Sequence, residues 1–294
     1  MNIVGLVPKR KSSRLRKMVQ NFLIGAESRG HKTKIYSVTK HTGLEKCNIK
    51  GSDLIVSSGW ASYVNRIIHH YKIPNIVLFD PQIRPSYKFV RGHNNYWGCC
   101  WFRPHGRYIY NSELPPDRWE ELKRFYSIEI KPWRKKGNHI VIAHQPNLGF
   151  DRESRKPFYD KVIKRCVGSG RPVIICTSPV ESGKQVKLDE VAEWKKLGCR
   201  VVKGIDKAKL ESAWCFVSSG GTTASKALFA GVPVFGNEPN ITDPMRIERD
   251  FDKFVKNPPL PDRQPWFNWI AYQQWHMTDI GEGLAFDYMM SIKK

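Results

Sequence analysis

The stretch richest in chemistry is Ser218–Asn240, SSGGTTASKALFAGVPVFGNEPN. Gly220 and Gly221 lie between an apolar strand pattern and a helical one. Glycine there lets the backbone approach a ligand, and the first N–H groups of a helix have no partner within it. With the positive end of the helix dipole, such a corner suits an anionic group, above all a phosphate. Ser219, Thr222 and Thr223 add hydroxyl donors. Lys226 is expected on the first turn of the helix, where it either meets a phosphate as a point charge or faces solvent. No Gly-Lys-Ser/Thr closes a Walker A loop, and the spacing is not Gly-x-Gly-x-x-Gly. An ordinary strand–turn–helix corner would use the same glycines for packing alone.

Asp80 closes the apolar segment PNIVLFD. A carboxylate at the C-terminal end of a parallel strand stands where α/β enzymes keep reactive groups, and it can take a proton from an attacking hydroxyl. It can equally cap the turn at Pro81.

Lys and Arg total 49 against 27 Asp and Glu, a formal charge of +22. That excess favours a polyanionic partner, although solubility or attraction to an anionic membrane would also use it. The basic loop after the first strand, VPKRKSSRLRK, holds Lys9, Arg10, Lys11 and Arg14. Between Arg84 and Asn111 the cations Arg84, Lys88, Arg91 and Arg103 interleave with Trp97 and Trp101. Cations for phosphates and flat rings for stacking describe a nucleic-acid surface, and a sugar groove uses similar platforms. His93, Cys99, Cys100 and His105 also fall there, but adjacent cysteines are awkward for tetrahedral zinc, and no metal site is expected.

These groups need a frame. Short apolar strands alternate with amphipathic helices, the pattern of parallel α/β sheets. The rhythm runs from NIVGLV to PNIVLFD, breaks between residues 84 and 111, and resumes at HIVIAHQ after the basic stretch KPWRKKGN. The tail from residue 263 reads as two helices, with Trp266, Trp269, Tyr272 and Trp275 on a packing face. Seven cysteines without framework spacing suggest a reduced, cytoplasmic protein. No apolar run reaches the roughly 18 to 20 residues of a membrane span.

The segment SSGGTTASKALFAGVPVFGNE resembles the nucleotide-sugar site of GT-B glycosyltransferases in its Gly-Gly-x-Thr turn, Ala-Leu helix and Gly-Val-Pro-Val segment. The resemblance implies two Rossmann-like domains facing each other across a cleft, with the donor diphosphate on the second. Residues 1–136 would bind the acceptor, 137–262 the nucleotide-sugar, and 263–294 would pack back on the first domain. Where the family often has a ribose-binding Glu, this chain has Lys226. Glu238, past the next strand, is an alternative partner for sugar hydroxyls. Gln145 and Arg152, in AHQPNLGFDRES, are candidates for donor phosphate or sugar.

The layout SDLIVSSGWAS…PNIVLFDPQIRPS is also similar to the first domain of bacteriophage DNA β-glucosyltransferases, which makes Asp80 the catalytic base. The expected function is sugar transfer from a UDP-sugar to a hydroxylated pyrimidine, 5-hydroxymethyl or 5-hydroxy, in phage DNA. The protein would be a monomer in the host cytoplasm, with no tightly bound cofactor and no indicated metal. Two alternatives stand: a GT-B enzyme acting on a cell-surface glycan or lipid-linked acceptor, and a catalytically inactive scaffold that binds DNA.

Overall fold

The computed structural model describes residues 1–9, 13–39, 49–58, 68, 70–79, 83, 96–102, 110–144, 152–177, 188–218, 222–236 and 241–292. In its first part the elements are β1 (Asn2–Pro8), α1 (Ser13–Glu27), β2 (Lys32–Val38), β3 (Leu54–Ser58), β4 (Asn75–Phe79), β5 (Tyr96–Phe102) and α2 (Asp117–Phe125). Then come β6 (His139–Ala143), α3 (Arg152–Gly168), β7 (Val173–Thr177), α4 (Leu188–Lys196), β8 (Arg200–Lys203), α5 (Lys207–Glu211), β9 (Ala213–Ser218), α6 (Thr222–Phe229) and β10 (Val234–Gly236). The chain closes with α7 (Phe251–Lys256), α8 (Gln264–Tyr272), β11 (Gln274–His276), α9 (Met277–Gly281) and α10 (Leu284–Ser291).

The chain forms two α/β units, each Rossmann-like. The first comprises Met1–Gln82, Val90–Ile109 and Tyr272–Lys294. Its sheet runs β11-β5-β4-β3-β1-β2, with β1 to β4 parallel and β5 and β11 antiparallel. β3 and β4 are buried along their whole length, as strands inside a sheet covered on both faces must be. Along β1 the faces alternate: Ile3 and Val7 join the core under α1, while Val4 and Leu6 join a cluster on the other side. α1 turns Met18, Val19, Phe22, Leu23 and Ala26 inward at helical spacing.

The second unit comprises Ile83–Phe89 and Tyr110–Ala271. Its five strands are all parallel, in the order β10-β9-β6-β7-β8. From β6 the chain builds outward to β7 and β8, then returns to the other side of β6 for β9 and β10. The order therefore reverses between β6 and β9. Open α/β sheets bind ligands outside the C-terminal strand ends at such a switch point.

Three features depart from the sequence reading. Within the aromatic stretch, residues 96–102 form a strand antiparallel to β4. In the tail, Gln274–His276 separates the helices as an edge strand, with Trp275 opposite Trp97. Residues 110–136 group with the second unit, because α2 buries Trp119 flat against Phe267, 4.6 Å between ring centroids and 11° between planes. Among the described residues no helix is long and apolar enough to cross a membrane.

Candidate functional site

The site is best built from the ends of β6 and β9. Ala143, the last residue of β6, stands opposite Ser218, the last of β9. Immediately beyond, His144 donates its backbone N–H to the Cys176 carbonyl at 2.9 Å, so β7 holds it from the other side. The Tyr159 hydroxyl donates to the Ala143 carbonyl at 2.8 Å and fixes the strand end below it. α6 starts at Thr222 and packs through Ala224, Ala227 and Leu228, all fully buried.

The His144 ring lies against Tyr159 at 4.3 Å and Trp194 at 4.8 Å between centroids. Only 7% of the residue is exposed. Its Nδ1 is buried and has no hydrogen-bond partner among the described residues. Burial pushes its pKa down to about 4, with the Asp160 carboxylate pulling weakly the other way. The imidazole is therefore neutral at physiological pH, with one N–H donor and one bare nitrogen.

The opposite end of α6 is clamped. Arg263, 9% exposed, donates to the Leu228 carbonyl at 2.5 Å and to the Lys131 carbonyl at 2.7 Å, and its guanidinium stacks 4.2 Å from the Trp133 ring centroid. The Lys131 N–H donates to the Phe229 carbonyl at 2.9 Å, and the Arg134 N–H to the Gly231 carbonyl at 2.8 Å. Carbonyls that the helix end leaves unpaired are thus satisfied. A cavity of about 310 Å³ beside this clamp is lined by Trp133, Pro261, Arg263 and Phe267, and it includes neither His144 nor the α6 N-terminus.

Of the residues expected to hold the donor, Thr222 and Thr223 open α6. Lys226 is half-buried and lies four residues in, about 6 Å along the axis, so it belongs to the last turn rather than the first. Ser219, Gly220, Gly221, Glu238 and Gln145 lie outside the described residues, as does the side chain of Arg152 in α3. The expected base, Asp80, follows β4 in sequence and is also outside them. Arg10, Lys11, Arg84, Lys88, Arg91 and Arg103 share that position, with the side chain of Arg14. Lys9 is exposed just past β1.

Trp97 and Trp101 are not platforms for bases. Trp97 is 1% and Trp101 7% exposed, and both sit in the core with Met18, Phe22 and Phe286. The Trp101 Nε1–H donates to the Met289 carbonyl at 2.6 Å. Antiparallel pairing of β5 turns Trp97, Cys99 and Trp101 to the inner face, where no base can stack. Burial also pushes the Cys99 and Cys100 thiols up.

No family model matches the sequence, and no curated protein matches it. Among solved structures, the chain is similar to KpsC of Thermosulfurimonas dismutans, a β-Kdo 2,7 transferase, with TM-score 0.53 and 14% identity over 100% of both chains. It is also similar to WaaG, a glycosyltransferase involved in lipopolysaccharide biosynthesis, at 0.35 and 13% over 100% of both. UDP-GlcNAc 2-epimerase of Methanocaldococcus jannaschii matches at 0.33 and 10%, over 91% of this chain and 98% of the other. The KpsC likeness extends along the whole chain and shows the fold.

Proposed function

We propose that the chain is a nucleotide-sugar-dependent glycosyltransferase whose acceptor is an anionic cell-surface glycan or lipid-linked sugar. The observation that carries the reading is the switch point of the second unit, where the end of β9 and the start of α6 flank Ser219–Gly221 in the sequence, within a fold shared end to end with a β-Kdo 2,7 transferase. In this reading Ser219 to Thr223 cradle the donor phosphates. Lys226 adds charge from the next turn, where the N-terminal tilt of helical side chains carries its ammonium back toward them. Glu238, Gln145 and Arg152 address the sugar and ribose, and Asp80 takes the proton from the acceptor hydroxyl. The formal +22 charge favours an acceptor carrying negative charge.

The same charge supports a second reading, in which the acceptor is a hydroxylated pyrimidine in DNA and Lys9, Arg10 and Lys11 hold phosphates. With Trp97 and Trp101 buried, that reading rests on cations alone.

One experiment separates them. The purified protein is incubated with a panel of nucleotide-sugars and three acceptors: an anionic oligosaccharide, a lipid-linked sugar, and DNA containing 5-hydroxymethyl or 5-hydroxy pyrimidines. Mass spectrometry then finds the added sugar. Addition to either glycan acceptor is the expected result, and addition to DNA alone moves the assignment to the second reading. Absence of transfer and of nucleotide binding overturns both and leaves an inactive scaffold.

A further inference from the structure

We propose that His144 contacts the ligand of the second unit, donating its Nε2–H to a phosphate or sugar oxygen held at the C-terminal ends of β6 and β9. The inference rests on the transferase reading and adds a residue to its donor site.

Topology supplies the first argument. His144 is the first residue past β6, and the sheet order reverses between β6 and β9. The residue opposite Ala143 is Ser218, from which the chain leads through the glycine turn to α6. His144 thus leaves the sheet beside Ser218, where open α/β sheets receive ligands.

The state of the ring supplies the second. Tyr159 and Trp194 pack against it, and Nδ1 is buried without a partner among the described residues. A buried, unpaired N–H is rarer than a buried, unpaired acceptor, so the proton resides on Nε2 and the bare nitrogen faces inward. The small fraction of the residue still open lies away from Nδ1. A histidine serving only as packing would be matched by phenylalanine. Here the same space holds a ring with one donor left to give.

The chemistry of the partner follows. The backbone donors at the start of α6 favour an anion, and its oxygens are acceptors. A neutral imidazole adds a directed bond without adding charge, which fixes how a phosphate or sugar oxygen sits. With its basicity depressed by burial, the ring is a poor proton acceptor at neutral pH, and its role is to bind and orient.

The test uses the full chain and three variants, with inorganic pyrophosphate and the nucleotides UDP, GDP, ADP and CMP as probes. H144Q keeps an N–H near the Nε2 position, H144N places it nearer Nδ1, and H144F keeps the shape without a donor. Calorimetry is expected to show H144F and H144N binding the preferred probe about tenfold or more weakly, and H144Q within about threefold, as loss of one hydrogen bond to a charged group requires. In the unaltered protein, nitrogen-15 spectra should show the Nε2–H tautomer, and that resonance should move when the probe is added. Wild-type binding that H144F retains in full, or a ring signal that ignores the probe, overturns the inference and leaves the transferase reading intact. No binding of any probe by the unaltered chain overturns both.

Discussion

The guanidinium of Arg263 donates to the carbonyl oxygen of Leu228 at 2.5 Å, tying the start of α8 to the last turn of α6. Because Gly220 and Gly221 precede the other end of α6 in the sequence, this bond helps position the helix on which the candidate phosphate site depends. Arg263→Ala removes it, the bond to Lys131 and the stacking on Trp133. The Leu228 carbonyl keeps the Gly231 N–H and the half-buried Lys131 carbonyl loses the arginine, so we expect a loss of about 2 kcal/mol in urea denaturation. Nucleotide affinity should fall as well, because the helix loses its clamp. A variant of wild-type stability would show that these bonds contribute nothing net.

Gly231 supplies a second constraint on the same helix end. Its φ is +72°, and a Cβ there would come within 2.0 Å of the Pro132 carbonyl oxygen. Gly170 has nearly the same φ, +76°, with open space around it. Gly170→Ala should therefore cost only the left-handed strain, about 1 kcal/mol, and Gly231→Ala at least about 2 kcal/mol. Comparing the two denaturation curves isolates the steric part. Equal losses would mean that the 131–134 segment moves aside at no cost.

For Trp101 the expectation separates core from surface. Trp101→Phe deletes the donor to Met289 and with it a hydrogen bond in the core, a loss of about 2 kcal/mol. Affinity for a DNA duplex, and its dependence on salt, should not change. Weaker DNA binding at unchanged stability would return the ring to the surface.

How far the sequence could be read follows from the range of the interactions. The parallel strands and α6 were legible, since β4 is an uninterrupted apolar run and Ala224, Ala227 and Leu228 repeat at helical spacing. The alternating aromatics of β5 were not. Trp97, Cys99 and Trp101 would show the same pattern facing solvent, and their burial depends on α1 and on helices near the C-terminus. β11 exists only because Gln274 finds Gly98, far away in the chain. His144 does not stand out from its neighbours Gln145 and Arg152 in the sequence, because its burial comes from Tyr159 and Trp194, which no local pattern places beside it. Lys226 lies one turn further along than the sequence pattern suggests, because counting from Thr222 puts it in the last turn of a short helix.

The proposed chemistry divides between two side chains. Asp80→Asn should remove transfer and spare nucleotide binding, since loss of a general base costs about 100-fold or more in turnover. Lys226→Ala should do the reverse in part, weakening nucleotide binding several-fold while turnover at saturation holds. Steady-state rates and calorimetry on the two variants check both. Full turnover without Asp80 would remove it from the mechanism, and unchanged affinity without Lys226 would assign that lysine to packing.

The last expectation concerns pH. In the folded chain His144 has its pKa pushed to about 4, against an ordinary value near 6.5 in the unfolded chain. Between those values the unfolded state binds a proton that the folded state refuses, so stability declines as pH falls. Above about 6.5 both states are neutral and the residue contributes no slope. The gap corresponds to about 3 kcal/mol, reached near pH 4 and growing no further below it. Asp206 and Asp250, whose carboxylates are held below their usual range by hydrogen bonds from Lys209 and from the Lys253 backbone, add acid sensitivity of their own. The useful quantity is therefore the difference between the wild type and H144Q in urea midpoints from pH 7.5 to pH 4. That difference should move steadily in favour of the variant as pH drops below about 6.5, because glutamine has no proton to refuse. Parallel curves would mean that the imidazole already takes up its proton in the folded state, and that the cage of Tyr159 and Trp194 is open to water.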